Sequence, residues 1–303
     1  MDSADTTKEF LGSEAGATVS VIHRVTSSSR SGYGVTSVES HLDLMDQDLA
    51  TANRVLWNEL LNRAHLAATS SLLRIERWMD AAMNQAREGN LLGFAACLRG
   101  MIEAASDTAY SLGPVPMALA EHSAAIQLAI DGKISGGVFD GGELETALLH
   151  YQFAHKTTKA EADEPSWTAK PAAEYFKVLD WDGKGEIQKL YRTLSGLAHP
   201  SAHSLGTLPQ SYFVGLISEE DERKAIREIC DDQNAPIVRA LISGSNIALL
   251  ILKVLNEFTR PEVHTKAMES IDLAGVPAWK NIRVAARSSK QSPILRVLGI
   301  DSS

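Results

Sequence analysis

Apolar side chains in this chain recur at spacings of three and four. Leu56, Leu60 and Leu61, followed by Leu72, Leu73, Ile75, Trp78 and Met79, show the pattern first. It predicts one very long helix, or two in series, from residue 41 to the turn Glu88-Gly89-Asn90. No proline precedes Pro114, so nothing in this stretch forces a break. Asn90 is placed to cap the next helix, which runs to about Leu112 before Gly113-Pro114 stops it. Shorter helices are predicted over 115–131 and 142–157, with a glycine-rich turn over 132–142 between them. The polar stretch 159–171 reads as a surface loop. Helices over 171–179 and 184–198 flank the turn Asp180-Trp181-Asp182-Gly183, and Pro200 ends the second. A charged amphipathic helix over 218–230 and an apolar one over 236–258 follow. With no βαβ alternation and no series of alternating strands, the fold class is all-α, a helical bundle.

The two ends differ from this body. Residues 1–40 hold eighteen Ser, Thr or Gly and little periodicity, apart from a β-like stretch over 17–25. They are expected to form a flexible N-terminal segment that lays down one strand. The helical domain then covers 41–275, and 276–303 is a basic C-terminal segment. Between residues 273 and 300 stand Lys280, Arg283, Arg287, Lys290 and Arg296, with no acid. Arg283, Arg287 and Lys290 share one helical face. That face is either an RNA-holding surface or a solvated face packed on an acidic body.

Composition narrows the class. The chain has 303 residues, 44% hydrophobic, 22% charged, with a formal net charge of −9, and reads as a soluble globular protein. Its two cysteines, Cys97 and Cys230, are too few for a disulfide framework or a cysteine-only metal site and read as buried free thiols in a reducing compartment. The polar, acidic start MDSADTTKEF is neither a secretory signal nor a transit peptide. The longest apolar run, 247–252, falls far short of the ~20 residues a bilayer span needs. The expected location is cytoplasmic, with no membrane partner, no metal and no cofactor. The acidity argues against a nucleic-acid coat protein. The locally basic C-terminus leaves room for an RNA-directed site.

Two helices carry polar residues in informative places. The helix over 90–112 is apolar nearly all round, and its only charges are Arg99, Glu103 and Asp107. At ~100° per residue they fall within an arc of about 80°, one polar stripe on an otherwise buried helix. Buried charges need partners, so another element is expected to meet the stripe. An ion-pair network internal to the fold is the competing reading. In the segment 186–204, Ile187, Leu190, Leu194 and Leu197 form a core stripe. Arg192 and His199 lie opposite it, about 20° apart in azimuth and ~10.5 Å apart along the axis, with Ser195 and Gly196 near that face. His199 sits where the helix ends, a position that favours a protonated imidazole. An arginine that binds phosphate beside a histidine that exchanges protons suits phosphodiester chemistry. A solvated face with a capping histidine is the alternative.

The segment from Arg192 to His199 resembles the motif of the HEPN superfamily of helical proteins, an arginine followed by four to six residues and a histidine. It is most similar to a bacterial branch in which an Arg-x3-Glu helix precedes a Tyr-x2-Leu-Ser-x3-His-Pro segment. Here those are Arg99 with Glu103, and Tyr191 with Leu194, Ser195, His199 and Pro200. The resemblance spans about 90–204. It implies a metal-independent ribonuclease site assembled across a homodimer, in a stress or phage-defence setting. His199 would take or donate the proton at the ribose 2′-OH or the leaving oxygen, and Arg192 would stabilise charge on the phosphorane. Glu103 or Arg99 would orient these groups, with Asp107, Tyr191, Ser195 and His203 lining the site. The chain departs from the pattern at Thr193, where catalytic relatives often carry Asn, Asp or His. A non-catalytic nucleotide- or RNA-binding or protein-interaction module therefore stands beside the enzyme.

Other signals carry less. The turn Asp180-Trp-Asp-Gly-Lys-Gly-Glu186 imitates the start of a calcium loop, but Lys184 and Tyr191 occupy positions that need oxygen ligands. It reads as a turn capping the helix that follows. His199 and His203 are four apart, but Pro200 between them breaks the geometry of a two-histidine metal clamp. No phosphate-binding loop and no nucleophile elbow is present.

Overall fold

The structure, a computed structural model, describes residues 3–28, 32–33, 38–154, 168–199 and 219–291. The described residues form α1 (Ser3–Leu11), α2 (Ser13–Ser28), α3 (Val38–Gln47), α4 (Leu49–Glu88), α5 (Leu91–Leu112), α6 (Val115–Glu121) and α7 (Ser123–Ile130). They continue with α8 (Gly142–Phe153), α9 (Ala172–Leu179), α10 (Glu186–Ala198), α11 (Glu219–Asp232), α12 (Asn234–Leu255) and α13 (Pro277–Ser288), with short 3-10 turns over 261–263, 266–270 and 289–291. The all-α class is what the spacing of apolar residues predicts. Contacts divide the chain into two compact units. The first holds Met1–Ser27, Ser70–Tyr110 and Lys170–Asn246, and the second Ser28–Thr69, Ser111–Ala169 and Ile247–Ser303.

The first unit is organised by α5, whose Phe94, Leu98, Met101, Ile102 and Ala105 are fully buried. Asn90 caps it, its Oδ1 accepting the Gly93 N–H at 3.0 Å. Glu222 on α11 accepts the Leu91 N–H at 2.8 Å. Two glycines set how closely other helices approach. A Cβ on Gly100 would lie 2.7 Å from the Trp78 ring of α4, and one on Gly244 of α12 would lie 2.8 Å from the Ala105 backbone. Gaps that small admit only hydrogen, so glycine fixes both crossings. A buried hydroxyl pair, Ser71 with Thr108 at 2.6 Å, adds a polar tie between α4 and α5.

The N-terminal expectation is corrected. Residues 3–28 form two helices instead of a flexible segment with a strand over 17–25. Ala15, Val19, Ile22 and Val25 of α2 are each at most 1% exposed. His23 Nδ1 and the Thr26 hydroxyl both bond the Glu76 carboxylate of α4, at 2.7 and 2.6 Å. Burying one face of α2 outweighs the weak helix propensity of its Val, Thr and Ser residues.

In the second unit, the glycine-rich turn after α7 is fastened to α4. The Trp57 indole N–H donates to the Phe139 carbonyl at 2.7 Å, and the two rings stack at 4.6 Å. Asn53 donates to the carbonyls of Ile134 and Gly137 and accepts the Phe139 N–H. Nearby, His65 is 1% exposed. Its Nδ1 meets the Tyr33 hydroxyl at 2.5 Å and its Nε2 the Thr265 hydroxyl at 2.9 Å. Burial drives His65 down from its ordinary value near 6.5 to about 4.

Helix α12 is longer than the run 247–252 suggests. It has 22 residues, and its most apolar 18-residue window has a mean hydropathy of 1.7, enough by length and composition to cross a membrane, with 61% of that window buried in the fold. Both cysteines are free thiols, Cys97 half-buried and Cys230 buried. Burial, with Asp231 beside it, pushes the Cys230 thiol up to about 12.

Candidate functional site

The helix carrying the Arg–His motif is fixed before its side chains are considered. Asp180 caps α10 from the preceding turn, its two oxygens accepting the N–H groups of Ile187 at 2.9 Å and Gln188 at 3.1 Å. The turn is the cap its sequence suggests. The exposed first N–H groups of a helix favour such a carboxylate. Arg239 of α12 secures the same turn through Asp182 at 3.3 Å and Glu186 at 2.7 Å. Ile187, Leu190, Leu194 and Leu197 are the buried stripe. At His199 the backbone turns extended, φ −100° and ψ 147°, as a residue before proline prefers. Its N–H still closes the last turn on the Ser195 carbonyl at 3.1 Å.

Four of the residues singled out from sequence meet between α5 and α10. The Tyr191 hydroxyl donates to Glu103 Oε1 at 2.6 Å, and Arg99 Nε donates to the same oxygen at 3.1 Å. Arg99 Nη1 then reaches His199 Nε2 at 2.9 Å. The guanidinium also lies 5.4 Å from the centre of the Tyr191 ring, whose other neighbour is Phe176 of α9 at 4.5 Å. A guanidinium over an aromatic face is attractive in itself. Burial, reinforced by the Glu103 carboxylate, pushes the Tyr191 phenol up, so it keeps its proton and donates it. Burial works against the Arg99 charge, but Tyr191 and Glu103 outweigh it and hold the guanidinium more firmly protonated.

The Arg99–His199 contact has a fixed polarity. A guanidinium has only donors, so His199 Nε2 must accept. Each of the other residues falls differently. Asp107 leaves the stripe and pairs with Arg74 of α4 at 2.9 Å. Arg192 is exposed and bonds no described residue. The Ser195 hydroxyl is buried without a hydrogen-bond partner among the described residues, one turn before His199. His203 and Pro200 lie outside the described residues. Phe176, Arg74 and Arg239, which position or complete these groups, carry no sequence signal of their own. Each acts through a partner distant in the chain.

Chemically, the site presents an exposed imidazole whose acceptor nitrogen is engaged by a cation, with a second arginine, bonded to no described residue, two turns back on the same helix face. Among the described residues no three His, Cys, Asp or Glu side chains converge as a metal centre requires. Comparison with protein families, characterised proteins and solved structures finds no match.

Proposed function

We propose that this chain is a HEPN-like, RNA-directed protein whose α5–α10 cluster cleaves RNA without a metal, two copies of the chain completing the site. The observation that supports this reading is the contact of Arg99 with His199. It joins the two halves of the motif, 100 residues apart, in one hydrogen-bonded row. While Arg99 occupies Nε2, the imidazole has no lone pair to offer. A phosphodiester competes for the guanidinium and releases that nitrogen. His199 then takes the 2′-OH proton, the 2′ oxygen attacks phosphorus, and the bond to the 5′ oxygen breaks. The leaving oxygen takes a proton from the second copy's His199, which enters the step as an imidazolium after its own Arg99 has been drawn to the phosphate and solvent has protonated it. The products are a 2′,3′-cyclic phosphate and a 5′-hydroxyl. Arg192, exposed and without a protein partner among the described residues, supplies charge to the phosphorane.

The test is digestion of a labelled single-stranded RNA by purified protein in excess chelator. His199→Ala is expected to lose at least ~100-fold in rate, the usual worth of a positioned acid or base. Arg192→Ala and Arg99→Ala should each lose a smaller factor. No cleavage by the wild type, or equal cleavage by the variants, overturns the enzyme. A second reading is favoured by the self-sufficiency of the row Tyr191–Glu103–Arg99–His199 and by Thr193: the same cluster serves a non-catalytic RNA-binding module. Fluorescence anisotropy that shows RNA binding without turnover selects it.

A further inference from the structure

The second unit holds an open cleft of about 840 Å³, and we propose that it binds a single-chain amphiphile with an anionic head, the class of a long-chain carboxylate. The volume lies in the range of small-molecule sites. The cleft is bounded by α7, the end of α12 and α13. Leu128, Val254, Phe258, Trp279 and Ile282 give it an apolar floor.

One rim is cationic. Arg283, Arg287 and Lys290 line the cleft at spacings of four and three. All three are exposed, and none forms an ion pair or hydrogen bond with a described residue. Glu257 is the single acid among the described lining residues, so the rim carries a surplus of positive charge in a protein that is acidic as a whole. The neutral polar side chains of the wall are already engaged. Ser123 and Ser289 share a hydrogen bond at 2.9 Å, and Gln127 spans Asp131 and Thr259 at 2.8 and 2.7 Å. A nucleobase is read largely by neutral donors and acceptors, and those of this wall are already engaged. An alkyl chain needs only the floor, and its carboxylate finds the rim. The basic face noted in the sequence thus becomes the headgroup side of an apolar cleft.

Isothermal titration with octanoate, decanoate and dodecanoate, kept below their micellar concentrations, tests this on the full chain. Saturable binding of one molecule per chain is expected. Affinity should rise by up to about 15-fold for each two methylenes, as full burial of each implies. Arg283→Gln with Arg287→Gln, both exposed and so neutral to folding, should weaken dodecanoate at least tenfold and steepen no other transition. Ala286→Trp, which fills the cleft, should abolish binding. Dodecyltrimethylammonium, with the same tail and the opposite charge, should bind at least tenfold more weakly than dodecanoate. Absence of saturable binding overturns the proposal. So does equal affinity for the two head groups, or a charge-neutralised double variant that binds like the wild type. If Ala286→Trp fails to fold, the chain-length series and the double variant still decide.

Discussion

Two histidines, one in each unit, show how differently a fold can use the same side chain. His65 is buried, with a hydroxyl on each ring nitrogen. His199 is exposed at a helix end, held at one nitrogen by an arginine. The first has no route to solvent and no charge to exchange near neutrality, so its contribution is to stability. The second can lose its partner to an incoming anion at small cost, and under the proposed function its contribution is to chemistry. If this contrast is right, stability and activity should separate cleanly between the two sites. His65→Ala removes a buried ring and the hydrogen bonds it makes to the Thr265 and Tyr33 hydroxyls. It should cost about 3 kcal/mol in denaturant unfolding, from the cavity and the lost hydrogen bonds together.

Acid sharpens the same contrast. His65 stands near 4 in the folded chain against an ordinary value near 6.5. Between those limits the unfolded chain binds a proton that the folded chain refuses. This contribution is therefore whole above pH 6.5 and is lost as pH falls toward 4, up to about 3 kcal/mol over the interval. Unfolding midpoints measured across that window should fall in the wild type. In His65→Ala the part of the slope that belongs to this group should vanish, while His199→Ala should keep it.

The two regions were also unequally legible in the sequence. Helix α10 could be read because its core stripe and its terminating proline are local signals, and α5 because its three charges stand out against an apolar surround. The meeting of Arg99, Glu103, Tyr191 and His199 was legible only through the motif resemblance, since periodicity places residues on faces without saying which faces touch. Asp107 shows the limit. It shares the stripe of Arg99 and Glu103 by spacing, yet Arg74 of α4 claims it. Helix α2 was misread for a different reason. Ala15, Val19, Ile22 and Val25 have helical spacing, but the Val, Thr and Ser around them carry the local preferences of strand and loop. Only burial against α4 decides between the two. His65 was invisible because Tyr33 and Thr265 lie 32 and 200 residues away from it.

Within the α5–α10 cluster the hydroxyl of Tyr191 is the next test. Tyr191→Phe keeps the ring beneath Arg99 and against Phe176 but removes the donor to Glu103. The loss should be about 1 kcal/mol, the ordinary net worth of one hydrogen bond to a charged, half-exposed acceptor. If the row orients His199, RNA cleavage should fall with it, by a smaller factor than in His199→Ala.

Arg192→Ala should be the quietest of all in stability and is for that reason the most informative. The side chain is exposed and bonds no described residue, so its removal should shift unfolding by no more than about 0.5 kcal/mol. A fold that keeps its full stability while losing RNA cleavage has surrendered a group that acts on a ligand. If cleavage survives instead, the positive charge at the site comes from Arg99 alone. The guanidinium that holds His199 at rest would then also be the one that meets the phosphate. Salt separates these outcomes further. Losing one phosphate-contacting arginine should flatten the dependence of RNA affinity on salt by about one charge, and an arginine that merely decorates the helix should leave that slope unchanged.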